Sequence, residues 1–300
     1  MFYKYRNQWA RWRFERHVRG VLDTTPIRLG GAASPTLLSQ LQHKDVSMYL
    51  AAVKSFAAQL PPREVHIVDD GSLTEQDRAL LRQHVPGVCF HRLVDCREPG
   101  LPAGGTWERL IAIARLSADR YVIQLDADTL TLGPLDEIAQ AVREGQSFSI
   151  GTWDGQTLET TAERAGTARA HLNAPRPHVQ VLAESNFDAP GMPARYYIRG
   201  CSGFSGLAPG TGKLEFMLAA SRVLQERLGE RWLEWGSEQV MSNLLVANQP
   251  RAIVLPHPRY TDCEKMRPGE TRFVHFIGTC RFRRGVYADS VRRVLLRGAA

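Results

Sequence analysis

The sequence lacks the usual features of a secreted or membrane-spanning protein. No apolar run approaches the roughly 18–20 residues that a membrane helix needs, and the Arg- and Trp-rich N-terminus has no apolar core of a signal peptide. The five cysteines are scattered and form no CxxC pair, which argues against a cysteine zinc site or a disulfide framework. These absences predict a chain with reduced thiols in the cytoplasm.

Basic charge is concentrated at the two ends of the chain. The 300 residues carry a formal net charge of +7. Residues 1–20 and residues 281–300 each hold six basic residues against one acidic residue, so the chain between them is slightly acidic. The basic isoelectric point therefore comes from the two ends of the chain. It does not indicate that the main domain binds nucleic acid.

The basic N-terminal end has a helical pattern of its own. Tyr5, Trp9, Trp12 and Arg16 recur at helical spacing, with arginines on the other faces. A basic, aromatic helix of this kind lies on an anionic membrane surface, peripherally at the inner face, or docks on its own domain or on a second copy of the chain. We assign residues 1–34 to this N-terminal extension.

The first half of the body alternates strands with helices. Apolar runs at 36–42, 64–72, 88–95 and 121–125 are separated by helical patterns, one of which starts with capping-box spacing at Ser72. This alternation predicts an α/β fold whose mostly parallel sheet has helices on both faces.

Acidic residues follow two of these strands. Asp69 and Asp70 end the strand at 64–72, and Asp126 and Asp128 end the strand at 121–125. Ligands of such sheets bind beyond the carboxyl ends of the strands. Two carboxylates spaced by one residue in a turn can bind a divalent cation such as Mg²⁺ or Mn²⁺, whose coordination phosphate oxygens commonly complete. Asp126 and Asp128 also fit a structural role, as caps of the turn or of a helix at 134–144.

The second half is less regular. Residues 153–195 are rich in Gly, Pro, Thr and Ala, which predicts a variable loop or lid with at most a short helix. A helix is expected at 237–248, capped by Ser237, and strands at 252–255 and 273–278. The domain then spans residues 35–285, and residues 286–300 form a basic C-terminal helix.

Four motifs resemble the nucleotide-sugar glycosyltransferases of the GT-A (Rossmann-like) fold. They are "VDDGS", "WERLIAIARLSADRYVIQLDADTL", "CSGFSGL" and "HFIGTCR", in the family's order over roughly residues 36–285. The sequence is most similar to the retaining family of glycogenin and bacterial lipopolysaccharide galactosyltransferases. Cys201 stands where that family usually has Asn, and Arg281 stands where it has Lys.

The resemblance implies a role for each motif residue. It assigns Mn²⁺ or Mg²⁺ to Asp126, Asp128 and His275. Donor-binding and catalytic positions follow from the remaining motifs: Asp69 and Asp70 for the nucleoside, Arg109, Gly278 and Arg281 for the donor and its diphosphate, and Glu238 and Gln239 near the transferred sugar.

Structural alternatives stand beside these assignments. Asp69 and Asp70 also fit an Asx-type turn with Gly71, and Arg109 also fits a surface ion pair with Glu108 or Asp119. His275 also fits a half-buried strand position, and Arg281 also fits a solvated run with Arg283 and Arg284.

The implied activity is sugar transfer from a nucleoside diphosphate sugar, with a UDP-sugar favoured, to a glycan, lipid-linked or protein acceptor. Three other functions stay open. "LDADTL" matches the first motif of haloacid dehalogenase-type phosphatases, with Asp126 as nucleophile and Asp128 as general acid. The chain is also compatible with a sugar nucleotidyltransferase or a non-catalytic sugar-nucleotide-binding adaptor.

Overall fold

The computed structural model describes residues 2–298, with side chains described at residues 8–295. The fold is α/β with a mostly parallel main sheet and helices, as the sequence predicts. The chain divides into two compact units. The first contains the residues up to His91, Leu125–Gln140 and the residues from His257 onward, and the second contains Arg92–Gln124 and Ala141–Pro256.

The first unit begins with two parallel strands and their crossover helix. Strand β1 (Thr36–Leu41) pairs in parallel with β2 (Glu64–Asp69), and β3 (Cys89–Arg92) lies beside β2. Helices α2 (Val46–Ala57) and α3 (Glu75–His84) connect these strands. Strands β1 and β2 are buried along nearly their whole length, although each also contains buried polar residues such as Ser39 and His66.

A small three-stranded sheet completes the first unit and positions the site. It contains β5 (Thr129–Thr131), β11 (Tyr260–Asp262) and β12 (Phe273–His275), with β12 in the middle. Strand β12 runs antiparallel to β5, and the register places His275 opposite Thr129. A residue near the C-terminal end thereby lies next to the "LDADTL" turn.

Helices α1 (Phe2–Val18) and α10 (Val286–Gly298) also belong to the first unit. The buried ring of Phe14 contacts the rings of Phe282 and Tyr287, with centroids 5.5 and 4.2 Å away. Helix α1 is therefore docked on its own unit. The predicted aromatic face is observed at Trp9 and Trp12, whereas the side chain of Tyr5 lies outside the described residues.

The second unit contains four neighbouring strands of the main sheet, in the order β10 (Ile253–Leu255), β6 (Phe148–Gly151), β9 (Gly200–Leu207) and β4 (Val122–Leu125). Strand β6 pairs in parallel with β10 and antiparallel with β9. The principal helices of the second unit are α4 (Trp107–Leu116), α8 (Lys213–Leu228) and α9 (Ser237–Ala247). Helix α5 (Asp136–Glu144) spans the boundary between the two units in sequence.

Residues 153–195 are more regular than predicted. They contain α6 (Thr161–Arg169) and α7 (Val179–Glu184), and β7 (Glu159–Thr160) pairs with β8 (Tyr196–Tyr197) just after this segment. The signal for α6 was present in the sequence, because Thr160 and Glu163 form a capping box. Helices of six to nine residues show too little periodicity to stand out.

Two predicted helix caps are shifted. Helix α3 is capped by Thr74, whose hydroxyl accepts from the amide of Asp77, whereas Ser72 donates to Asp70. Helix α9 follows Gly236 at a φ of 103°, a backbone conformation that glycine adopts without a steric penalty. Ser237 is the first helical residue and accepts from the indole of Trp107.

The prediction of reduced cysteines is wrong for one pair. Cys263 and Cys280 form a disulfide with their Cα atoms 5.9 Å apart. They are 17 residues apart in sequence, and only the pairing of β11 with β12 brings them together. Closing a loop of this length stabilises a fold by about 3 kcal/mol in the chain-entropy account.

Among the helices formed by the described residues, none has the length and apolar character needed to cross a membrane.

Candidate active site

Asp126 and Asp128 lie in a tight turn between β4 and β5. The backbone carbonyl of Asp126 accepts from the amide and the hydroxyl of Thr129, at 3.2 and 2.7 Å. The strand before the turn is fixed by Ser39, whose hydroxyl donates to the carbonyl of Leu125 at 2.6 Å. The turn is thus held at both ends, so that both carboxylates project from a rigid segment.

Two residues of the C-terminal region hold the carboxylate of Asp128. The Nε2 atom of His275 lies 3.0 Å from Oδ1, and a guanidinium nitrogen of Arg281 pairs with Oδ2. The amide of Phe276 also donates to the backbone carbonyl of Asp128 at 2.8 Å. Because Asp128 and His275 are both buried, this contact takes place largely out of water.

The charge state of Asp128 follows from these partners. Burial by itself raises the pKa of this carboxyl, but the charge and hydrogen bond of His275 and the charge of Arg281 outweigh it and lower the pKa to about 2. At neutral pH the group is therefore an anion. An ionised carboxylate is what a divalent cation requires, whereas a general acid must hold a proton.

Asp126, Asp128 and His275 form the group that could hold a metal ion. One ligand atom from each lies within 4.8 Å of the others. Two carboxylate oxygens and one imidazole nitrogen suit Mn²⁺ well. Mg²⁺ prefers oxygen ligands, which the two carboxylates supply. The donor set of this chain therefore fits the cofactor that the sequence predicts.

The turn after β12 presents Arg281 to Asp128. The Nε atom of Arg281 donates to the carbonyl of Phe276 at 3.0 Å, and its backbone amide donates to Ile277. The preceding residue, Cys280, is held by the disulfide. Apart from its two chain neighbours, no heavy atom of the described residues lies within 4 Å of a Cβ added at Gly278, so the space beside this glycine is open.

Asp69 and Asp70 form the Asx-type turn that the sequence analysis left open. The Oδ1 atom of Asp69 accepts from the amide of Gly71 at 2.8 Å, and Oδ2 pairs with Arg78. Asp70 accepts from the amide and the hydroxyl of Ser72. Asp69 is buried and its carboxylate is bonded to groups of the protein itself, whereas Asp70 is half-buried. Their contact with a nucleoside stays a prediction.

Two further residues, Asp45 and Tyr287, lie near Asp128 and Arg281 without being indicated by any sequence motif. Burial raises the pKa of Asp45, Arg281 lowers it, and Asp128 raises it again, so these charges lie close together. The buried hydroxyl of Tyr287 is also in the electrostatic field of Asp128 and Arg281. Nothing in the local sequence marks either residue, because their proximity arises from helix packing.

The second unit contains a separate buried group around Glu238. Arg109 and Glu238 form an ion pair of 3.2 Å, with side chains only 5% and 4% exposed. The hydroxyl of Thr106 donates to Glu238 at 2.9 Å, and that of Ser202 lies 3.4 Å away. Gln239, next to Glu238, is half-buried. The sequence motifs indicate Glu238 and Arg109 separately, and only the folded structure pairs them.

Comparison with known proteins supports the fold. No protein-family profile and no curated protein matches this chain by sequence. The apo structure of the WbbM bifunctional glycosyltransferase matches with a TM-score of 0.55 and 11% identity, over 91% of this chain and 53% of that one. The fold is that of GT-A glycosyltransferases. The chain spans about half the length of WbbM.

Other solved glycosyltransferases align at lower scores. The galactosyltransferase LgtC, in complex with donor and acceptor sugar analogues, gives a TM-score of 0.47 at 13% identity over 86% of this chain and 95% of its own. Mouse xyloside xylosyltransferase 1 gives 0.45 at 16% identity over 82% and 99%.

The buried Arg109–Glu238 pair yields a stability prediction. We expect Arg109→Met or Glu238→Leu alone to lower the free energy of unfolding by about 3–5 kcal/mol, because each leaves an uncompensated buried charge. The double variant should be less destabilised than the sum of the singles. Urea unfolding of the four proteins measures this, and additive losses would contradict the pairing.

Proposed function

We propose that this chain transfers a sugar from a nucleoside diphosphate sugar, with a UDP-sugar favoured, and that Mn²⁺ or Mg²⁺ is its cofactor. The carrying observation is the convergence of Asp126, Asp128 and His275, with Arg281 on Asp128, in a chain with the GT-A fold. The glycosyltransferases of similar structure support this class of reaction. The acceptor is a glycan, a lipid-linked molecule or a protein.

The chemistry of the donor explains why this group is suited to it. Loss of a nucleoside diphosphate places negative charge on phosphate oxygens in the transition state. A divalent ion at Asp126, Asp128 and His275 supplies Lewis-acid stabilisation of that charge when bound. Arg281 is the second cation at the site, and its guanidinium suits phosphate contacts.

The structure supports specific roles for other residues of the first unit. The open space at Gly278 suits close approach of the diphosphate. Asp70 is the more accessible of the two acidic residues proposed for the nucleoside, since Asp69 is buried against Arg78. We assign Arg281 to the leaving diphosphate.

On the second unit, we assign Glu238 and Gln239 to the transferred sugar, with Arg109 as the partner of Glu238. The carboxylate of Glu238 accepts hydrogen bonds from hydroxyl groups already, which is the chemistry needed to bind a sugar hydroxyl. No described residue is marked as the general base of an inverting reaction, and stereochemical outcome is left to experiment.

The phosphatase alternative is disfavoured by the state of Asp128. That mechanism uses this residue as a general acid, yet His275 and Arg281 hold it as an anion. A non-catalytic adaptor would bind the donor without releasing nucleoside diphosphate.

The test is a thermal-shift titration with UDP, GDP and UDP-sugars, with and without Mn²⁺. We expect a UDP shift that requires Mn²⁺ and is lost in Asp128→Asn, since a ligand at 100 times its Kd stabilises the fold by about 2.7 kcal/mol. Asp23→Asn, at an exposed aspartate of the same unit, should keep the shift.

Other outcomes of this titration separate the alternatives. No metal-dependent shift with any nucleotide would overturn the proposal. Binding of a UDP-sugar with no transfer of the sugar to water or to any acceptor, and so with no UDP formed, would favour the adaptor. Release of inorganic phosphate from a simple phosphomonoester would favour the phosphatase.

We further propose that α1 contacts an anionic membrane surface. Trp9 and Trp12 are 58% and 53% exposed although Phe14 on the opposite face is buried. A groove of about 1040 Å³ beside Trp9 is also lined by Phe282, Arg283, Arg284 and Arg293. This joins apolar rings to cationic groups, as binding to anionic lipid requires.

The membrane proposal predicts sedimentation with vesicles that contain phosphatidylglycerol and weak binding to neutral vesicles. Trp9→Ser/Trp12→Ser should lose this binding, whereas Trp235→Ser, at another exposed tryptophan, should keep it. Equal binding of all three proteins would contradict it. If the double variant instead abolishes a dimer seen by light scattering, the face binds a second copy.

The cytoplasmic location stays a prediction. The disulfide between Cys263 and Cys280 argues against a strongly reducing compartment, because structural disulfides are rare in the cytosol.

A further inference from the structure

Among the helices that the structure describes, three begin after a threonine, and one of these threonines makes a different hydrogen bond from the other two. Thr74 and Thr160 precede α3 and α6 with extended backbone, at φ of −80° and −69°. In both cases the hydroxyl accepts from the amide three residues later, which is the ordinary function of a threonine N-cap. Thr106 occupies the same position before α4, but its side chain makes no such bond.

The backbone of Thr106 is left-handed. Its φ is 77° and its ψ is 9°. A β-branched side chain rarely adopts this conformation, because Cβ approaches the following carbonyl and the branch restricts relief of the clash. Such strain persists only where surrounding contacts over-determine it, and it clusters at functional sites.

The strain redirects the Thr106 hydroxyl from the helix to a buried carboxylate. Its Oγ1 donates towards Oε2 of Glu238 at 2.9 Å and also lies against the carbonyl of Gly105. Three residues later, at the position whose amide a capping hydroxyl would have bound, Arg109 pairs with Oε1 of Glu238. The first turn of α4 therefore contacts both oxygens of one carboxylate.

The preceding loop keeps Thr106 in this conformation. Gly104 and Gly105 also have positive φ, at 81° and 54°. The amide of Gly104 donates to both carboxylate oxygens of Glu108 at 3.0 Å, and Arg97 lies 3.5 Å from the same group. Glu108 thus ties the loop to α4, a function that the hydroxyl of Thr106 does not serve.

Glu238 needs such orientation, because it can rotate about its own side chain. Its position at the start of α9 fixes its Cα, not the plane of its carboxylate. With Oε1 on Arg109 and Oε2 on Thr106, and with Ser202 at 3.4 Å, the plane is defined. The carboxylate is thereby held in one orientation relative to α4.

We propose that Thr106 is a positioning residue that fixes the Glu238 carboxylate for contact with the transferred sugar. The inference rests on the proposed function, since that function gives Glu238 its role. The role of the left-handed Thr106 is then to hold Glu238, and not to cap α4.

The experiment compares Thr106→Val, Thr106→Ser and Thr106→Gly for kcat, donor KM and melting temperature. Valine keeps the shape and the strain but removes the hydroxyl, and we expect kcat to fall at least tenfold. Serine restores the hydroxyl and should recover kcat to within about threefold of the original. Glycine relieves the strain, so it should raise the melting temperature while kcat falls as in valine.

A matched control separates positioning from helix capping. Thr160→Val removes a threonine that does cap its helix, and it should lower the melting temperature without the tenfold fall in kcat. The Mn²⁺-dependent UDP shift should be unchanged in all Thr106 variants, because the groups proposed to bind UDP lie in the other unit. A merely structural role for Thr106 would make kcat follow stability, so that glycine would match or exceed the original.

A second measurement does not depend on turnover. Urea unfolding of Thr106→Val, Glu238→Gln and the double variant should be non-additive, and additive effects would overturn the inference even in an active enzyme. Absence of turnover in the unmodified protein with every UDP-sugar would instead show that the proposed function fails, and the positioning role of Thr106 in that reaction with it. Normal kcat in Thr106→Val would overturn this inference and leave the proposed function standing.

Discussion

The antiparallel pairing of β5 with β12 is the constraint on which the candidate site depends. It places His275 opposite Thr129, one residue from Asp128, although the two segments are far apart in sequence. A shift of the register by one residue would turn the side chain of His275 to the other face of the strand. The disulfide and the turn that carries Arg281 follow directly from the same strand, so the donor set and its second cation are built from one short sheet.

Two of the buried carboxylates, Asp128 and Glu238, are held in the same way. Asp128 is bound by an arginine and a histidine, and Glu238 by an arginine and a threonine. In the proposed reaction, such preset charges would stabilise developing charge without reorganisation at that moment. The arginines differ in a useful respect. Arg281 is 29% exposed and lies on a turn, which suits contact with a ligand, whereas Arg109 is 5% exposed on a helix, which suits a fixed partner.

The features of the fold and of the site that the sequence predicts are those with a local pattern. The strand–helix alternation predicted the α/β fold, because buried parallel strands and amphipathic helices each leave a periodic pattern. The pair Asp126 and Asp128 was visible because it follows such a strand directly. His275 and Arg281 came from a resemblance and not from spacing, and the structure brings both of them to Asp128.

The features that no sequence pattern predicts depend on contacts between distant segments or on backbone conformation. Cys263 and Cys280 are unremarkable until β11 pairs with β12. Thr106 is followed by a helix, so its sequence context predicts an ordinary cap. Its left-handed φ is set by the glycine loop before it and by Glu238, which is more than 100 residues away. Residues whose function comes from strain or packing leave no local pattern.

The most direct test of the central claim is an anomalous difference map from crystals soaked with Mn²⁺ and UDP. The account predicts one strong manganese peak within coordination distance of Asp126, Asp128 and His275, with the UDP phosphates beside it and Arg281 turned towards them. UDP bound with no manganese at these residues, or a manganese peak on another group, would contradict it.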